Sequence, residues 1–388
     1  MIGGGLQTPC DIASRLIVNK GSALFDGTND FINVSSVASD LSMTTGTVSL
    51  WARITTTSNN ESFFNCSDGT SGNDKFSIFY LTSSEILRGN YKFGGTTVNV
   101  EHSISNSDIV NAGWFHVALT YDTSANSLIL YYNGSAVATS TASLTAIDTS
   151  SVTIDRVRLG KNSNADNTFH QGYIDEYAYF ARVLSAAEIA RIHSRKGKIN
   201  YAQDLDLRGT VNQLKQWLRL GDGKLNITND QAASNFTGVI FDMSNATLDS
   251  ELIVNGDYSN GLTSWNTYGT TDVAGGIVTI GPSSNSGLWQ QILTVNDFYV
   301  AQVNVVSFDP VEEEGLGQIV NNNGTVLHRI TSAGLQTFAF RHGINDQHFL
   351  IRATNNAILK INSVSVKKIQ GNPAFTDGAL VNQNNLPG

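Results

Sequence analysis

Hydrolysis of a glycosidic bond needs two carboxyl groups about 5 to 10 Å apart, one acting as acid and the other as nucleophile or base. On a strand, both share a face only at i, i+2 or i, i+4 spacing. No Glu-x-Asp-x-x-Glu strand occurs in the sequence, and Asp175 and Glu176 are neighbours, which as strand residues would face opposite sides. The pattern argues against a glycoside hydrolase. Metal hydrolysis has no better footing, since His102, His116, His170, His193, His328, His342 and His348 include no His-Glu-x-x-His and no Cys/His zinc spacing. His342 and His348 form a loose cluster with Asp346 and read as solvated loop residues. Neither a Gly-x-Ser-x-Gly elbow nor a P-loop is present, so serine-hydrolase and NTPase chemistry lack a starting residue.

Binding chemistry is better represented. Asp26 and Asp30 flank a tight turn containing Gly27, and carboxylates with turn carbonyls are the hard oxygen ligands that suit Ca2+. The same residues would equally satisfy turn amides, which Asp does well. Asn162, Asn164 and Asp166 imitate the first ligands of an EF-hand, but Asn167 stands where its glycine should be. Sugar recognition stacks aromatic faces on pyranose rings. The candidates are Trp265, Tyr268 and Trp289, with core packing as the competing reading for the two tryptophans. Trp51 and Trp114 lie in alternating runs and read as core, Trp217 as packing between modules, and Glu312-Glu313-Glu314 as a solvated acidic run.

The chain that must position these groups has 388 residues, more than one ordinary core. Its 24 Lys+Arg against 33 Asp+Glu give a net charge of −9, and its longest basic cluster is Arg195, Lys196 and Lys198, so the footprint of a nucleic-acid binder is missing. Only Cys10 and Cys66 are available for a disulfide, which excludes a disulfide framework. No run approaches the roughly 18 apolar residues of a membrane span, and residues 1–20 lack the basic and apolar regions of a secretory signal. Abundant Asn, Ser and Thr with 35 Gly and 5 Pro point to turn-rich β-structure.

Between Ser22 and Ala181 short alternating runs recur between turn residues, the pattern of a sandwich. Asn133-Gly134 predicts a hairpin, and Ser185-Ala-Ala-Glu188 predicts a capped helix running to about His193. The ordered motifs ALFDGTNDFI from Ala23, TVSLW from Thr47, GWFHVA from Gly113, YYNG from Tyr131 and GYIDEY from Gly172 resemble the LamG-like concanavalin A-like lectin/glucanase superfamily. The resemblance covers roughly residues 21–195 and implies a jelly roll of two antiparallel sheets. It also implies that the strand bearing Asp175 can lie beside the Asp26 to Asp30 turn and complete a Ca2+ site. It implies no single activity.

Residues 1–20 read as an N-terminal arm, 196–250 as an irregular connector and 370–388 as a C-terminal tail. Residues 251–369 begin with Asn255-Gly-x-Tyr258-x-x-Gly261-Leu-x-x-Trp265 and end in a strand from Leu359 to Lys367. This block resembles carbohydrate-binding-module-like jelly rolls. The expected fold is therefore all-β, two antiparallel β-sandwich (jelly-roll) domains with one short helix closing the first. The pairing of such modules without a signal peptide resembles virion structural proteins of tailed bacteriophages. That resemblance implies a non-enzymatic capsid-decoration or tail-associated protein on the virion surface. Its partners would be other virion subunits, copies of itself and cell-surface glycans, without nucleic acid or membrane insertion. A tail adhesin devoted to carbohydrate recognition and a glycoside hydrolase are the alternatives.

Overall fold

Val48, Leu50, Ala52 and Ile54 are fully buried at every second position of one strand, and the intervening Thr47, Ser49 and Trp51 are buried too. A strand buried on both faces needs a layer on each side, and the computed structural model shows both. It describes residues 21–68, 75–148, 150, 153–162, 168–198, 200–201, 213–220, 239–240, 248–311, 315–321, 324, 326–342, 347–377 and 381–383. The arm 1–20 with Cys10, the positions Asn164, Asp166 and Asn167, the Glu312 to Glu314 run and Asp346 lie outside them. The chain divides into two compact units: Met1–Ile227 with Ile240–Ala246 and Gly371–Gly388, and Thr228–Val239 with Thr247–Gln370.

The first unit is a sandwich of two antiparallel sheets. One runs β10 (Ser135–Ser140), β9 (Ser127–Tyr132), β8 (Phe115–Asp122), β3 (Thr45–Ile54), β12 (Gln171–Phe180), β1 (Ser22–Asp26) and Val381–Gln383, with β13 (Leu214–Leu218) also paired to β12. The facing sheet includes Ala374–Asp377, β2 (Phe31–Asn33), β11 (Arg156–Leu159), β4 (Glu61–Ser67), β5 (Lys75–Leu81), β6 (Ile86–Phe93) and β7 (Thr96–Ser103), in that order. Between them lie Phe25, Leu50, Phe64, Phe76, Tyr91, Leu119, Tyr177 and their neighbours. The hairpin turn carries positive φ at Asn133 (49°) and Gly134 (80°), as a two-residue turn matched to strand twist requires.

The predicted helix is α2 (Ala186–Ser194), preceded in the chain by a short α1 (Asn106–Asn111). Its capping box is formed: Glu188 N donates to Ser185 Oγ at 3.3 Å and Ser185 N to Glu188 Oε2 at 2.7 Å. Leu184, Ile189 and Ile192 close over Ala118, Ala178, Phe180 and Trp217, which supplies the second cover for β3 and β12.

Two segments sit differently from their sequence reading. Part of the stretch read as a connector is β13, in register with β12 from Tyr177↔Leu218 to Phe180↔Leu214. Part of the stretch read as a tail is two strands, Ala374–Asp377 on β2 and Val381–Gln383 on β1. Neither has a long apolar run of its own. The backbone N–H and C=O groups on the open edges of β1 and β2 supply the pairing.

The second unit is also a sandwich. Its six-stranded sheet orders Thr271–Ala274, Ile277–Ile280, Ile358–Ile369, Phe298–Asp309 and Gly334–Arg341, with Leu248–Glu251 paired to Ile358–Ile369. The five-stranded sheet orders Asn266–Tyr268, Asn285–Gln291, His348–Thr354, Leu316–Val320 and Val326–Ile330. Val278, Leu288, Val303, Ile319, Phe349, Ile351 and Leu359 are among the residues between them. The protein is thus all-β, with antiparallel sheets packed as jelly-roll sandwiches.

Candidate functional site

The Asp26 turn uses its carboxylates internally. Asp26 Oδ1 accepts from the Thr28 and Asn29 amides at 2.7 and 3.3 Å, and Asp30, only 3% exposed, accepts from Asp26 N at 3.1 Å. The strand β12 does lie beside this turn, but Asp26 is in register with Gln171. Asp175 is four residues further on, about 13 Å along the strand. Among the described residues no three His, Cys, Asp or Glu side chains are grouped to hold a metal ion.

Asp175 and Glu176 do not face opposite sides. Pairing with β3 runs Asp175↔Trp51 and then Ala178↔Ser49, so β12 carries one extra residue there, and Glu176 takes φ 49°. A β-bulge of this kind re-aims the side chains beside it. Trp51 stacks on His193 of α2 at 5.6 Å, which places its register partner Asp175 on the α2 side. Glu176 turns to the same side: Trp217 Nε1 donates to Glu176 Oε2 at 2.6 Å and Arg219 Nε to Oε1 at 3.3 Å. Both carboxyl groups are completely buried. Burial pushes the Glu176 carboxyl up to about 7, opposed by the Arg219 charge and the Trp217 hydrogen bond. Both oxygens are held by protein donors in a sealed layer, so the group acts as a clamp on β13 rather than as an acid for substrate.

His116, His170 and His342 are also committed to packing. His116 is fully buried with Nε2 2.9 Å from Ser49 Oγ, and burial together with the neighbouring His193 lowers its pKa to about 3. His170 Nδ1 lies 2.7 Å from Glu61 Oε2, which also accepts from Gln171 N at 2.7 Å, joining the two sheets inside the first sandwich. His342, read from sequence as solvated, is fully buried in a turn where its amide donates to Asp297 O at 2.9 Å. Cys66 is a buried free cysteine whose thiol pKa burial raises.

The three aromatic candidates separate. Trp265 is core: it is 7% exposed, sits 5.6 Å from the Tyr258 ring, and donates Nε1 to Asn255 O at 3.0 Å. Asn255 in turn ties the loop with Nδ2 bonds to Gly261 O and Thr263 O, so the opening motif of this block is a loop-closing device. Tyr268 and Trp289 are half-buried on the outward face of the five-stranded sheet. Their inward neighbour Leu288 and its partner Ile351 fill the core. Trp51 is buried and Trp114 half-buried 6.0 Å from Tyr173, while Trp217 packs within the first unit.

The register of the five-stranded sheet shows which residues share that outward face. One row reads Tyr268, Gly287, Arg352, Gln318, Arg329, and the next Asn266, Trp289, Leu350, Val320, Val326. Gln291 and His348 follow, the His348 ring lying 4.4 Å from Trp289. Gly287 has its place in this row because a Cβ there would meet Tyr268 Oη at 2.7 Å and Ile351 O at 2.6 Å. Arg352 Nε donates to Gln318 Oε1 at 2.9 Å, and its charge draws the Tyr268 pKa down against the larger upward effect of burial. Sequence reasoning found the two aromatics and missed Arg352, Gln318 and Arg329. The signal was the alternation in His348-Phe-Leu-Ile-Arg-Ala-Thr354, where His348, Leu350 and Arg352 must share one face.

The concanavalin A-like lectin/glucanases superfamily matches residues 26–190. No curated protein matches the chain. Among solved structures, similarity extends to the CBM40 of the Ruminococcus gnavus IT-sialidase, with 18% identity over 45% of this chain and 96% of that one, TM-score 0.38. It extends to the heptameric SAP-like pentraxin of Limulus polyphemus, with 14% identity over 51% and 89%, TM-score 0.35. Domain 4 of the Geobacillus stearothermophilus arabinanase AbnA, solved with arabinotriose, shares 14% identity over 44% and 76%, TM-score 0.33.

Proposed function

We propose that this is a non-enzymatic, glycan-binding display protein whose second sandwich holds a saccharide on the outward face of its five-stranded sheet. The observation that carries this reading is Trp289, an indole left half-buried on an outward sheet face with Tyr268 and polar side chains around it. A flat aromatic surface beside fixed amide and guanidinium donors matches the two needs of sugar recognition, stacking on the apolar ring face and hydrogen bonds to hydroxyls. The first sandwich acts as scaffold. Its one bulged carboxylate pair is closed off from substrate, which supports a non-catalytic role.

The finer setting follows from the motif order, which resembles tailed-phage virion proteins. In this reading the chain stands on the virion surface as a capsid-decoration or tail-associated subunit, among other virion subunits and copies of itself, and many copies make weak glycan contacts effective. Two measurements test it. Glycan-array binding by the full chain should be lost in a folded Trp289→Ala variant; unchanged binding would overturn the site. Immunogold labelling of virions should find the chain on particles, spread over the head for decoration or confined to the tail tip for an adhesin. Its absence from particles removes the virion role.

A further inference from the structure

We propose that the saccharide bound on this face is anionic, with its carboxylate or sulfate held between Arg352 and Arg329; the inference rests on the glycan-binding reading above. The two arginines stand in one cross-strand row on either side of Gln318. Two inter-strand steps separate their Cα atoms by about 10 Å, a span that two arginine side chains bridge easily toward a single anion. Gln318 is only 4% exposed and takes the Nε of Arg352. This anchors the guanidinium at Nε beside a buried amide and leaves its two terminal nitrogens as donors for an oxyanion.

Arg329 is the second half of the argument. Its Nε is buried without a hydrogen-bond partner, and among the described residues no carboxylate pairs with Arg329 or with Arg352. Other arginines in similar settings do have counterions: Arg88 and Arg182, whose Nε atoms are likewise buried without a partner, pair through their terminal nitrogens with Glu101 and Glu188. A chain with net charge −9 has acidic groups to spare. Two neighbouring arginines without a carboxylate among the described residues, one of them held by the buried Gln318 amide, are an anion site in waiting. A nucleic acid would need more phosphate contacts than two cations supply. Beside them, Trp289 and Tyr268 provide a stacking surface suited to a sugar ring. The ligand class is therefore a uronate, sialate or sulfated saccharide.

The test is affinity electrophoresis of the full chain through gels containing polygalacturonate, colominic acid, chondroitin sulfate or neutral xyloglucan, with circular dichroism as the folding control. Retardation by at least one of the acidic polymers is expected, weakening as NaCl is raised. Arg352→Gln and Arg329→Gln should each weaken it about tenfold, and Trp289→Ala should abolish it. The responding polymer identifies carboxylate or sulfate as the preferred anion. Retardation by xyloglucan alone, or acidic-gel binding indifferent to both arginine variants, overturns the anionic proposal while leaving the sugar-binding face intact. No retardation of the folded protein by any of the four overturns the glycan-binding reading itself.

Discussion

Trp217 Nε1 donates to Glu176 Oε2 at 2.6 Å where β13 joins β12, one side chain from the stretch read as connector holding a carboxylate on a bulge. Burial raises that carboxyl to about 7 from its usual 4.5. The fold therefore keeps a proton that the unfolded chain releases. The stability contributed by Glu176 is complete below about pH 4.5 and falls as pH rises to about 7. His116 works in the opposite sense. With a folded value near 3 against 6.5, its contribution is complete above pH 6.5 and is lost as pH falls. Urea denaturation from pH 4 to 8 should show Glu176→Gln losing the decline toward neutrality, and His116→Gln losing part of the decline toward acid. Difference curves that stay flat for both variants would contradict these assignments.

Glu61 serves two donors at once, His170 Nδ1 and the Gln171 amide, and is 1% exposed. Glu61→Ala leaves both donors buried without that acceptor and should cost about 3 kcal/mol. A thermal melt indistinguishable from wild type would refute the pairing.

Trp265 and Trp289 should behave as different kinds of residue. Trp265→Ala removes a core side chain and should destabilise by about 3 to 5 kcal/mol. Trp289→Ala should abolish glycan binding with a change in stability below about 1 kcal/mol, since its ring is half-exposed. Equal loss of stability in the two would mean that Trp289 is also a packing residue.

The Asp26 to Asp30 turn should not depend on calcium. Asp30→Ala removes the acceptor of the Asp26 amide and should lower stability by about 1 to 2 kcal/mol, whereas EDTA should leave the melting temperature of the wild-type protein unchanged. A fall in melting temperature on chelation, restored by CaCl2, would reverse this.

The sequence carried the strands of the first sandwich because their apolar residues alternate, and it carried α2 because the Ser185 and Glu188 spacing is a local signal. It did not carry the orientation of Asp175 and Glu176. A bulge is set by pairing with β3 and has no signature in the two residues themselves. The returning strands Ala374–Asp377 and Val381–Gln383 were illegible for a similar reason, since their partners lie more than 300 residues earlier. In the candidate site, the aromatics could be read by type. Arg352, Gln318 and Arg329 become a row only once three strands are in register.

Those returning strands also bear on how the protein is made. The first sandwich has β13 by Leu218 but does not receive the strand beside β1, or the strand that joins β2 to Val239–Ile240, until residues 374–383 have emerged. At ordinary ribosome speeds that interval is on the order of 10 to 30 s. Throughout it β1 and β2 present bare edges while the second sandwich is still being translated. A nascent chain in that condition is a target for strand capture by another copy, because the open edges of β1 and β2 wait for partners more than 300 residues further along.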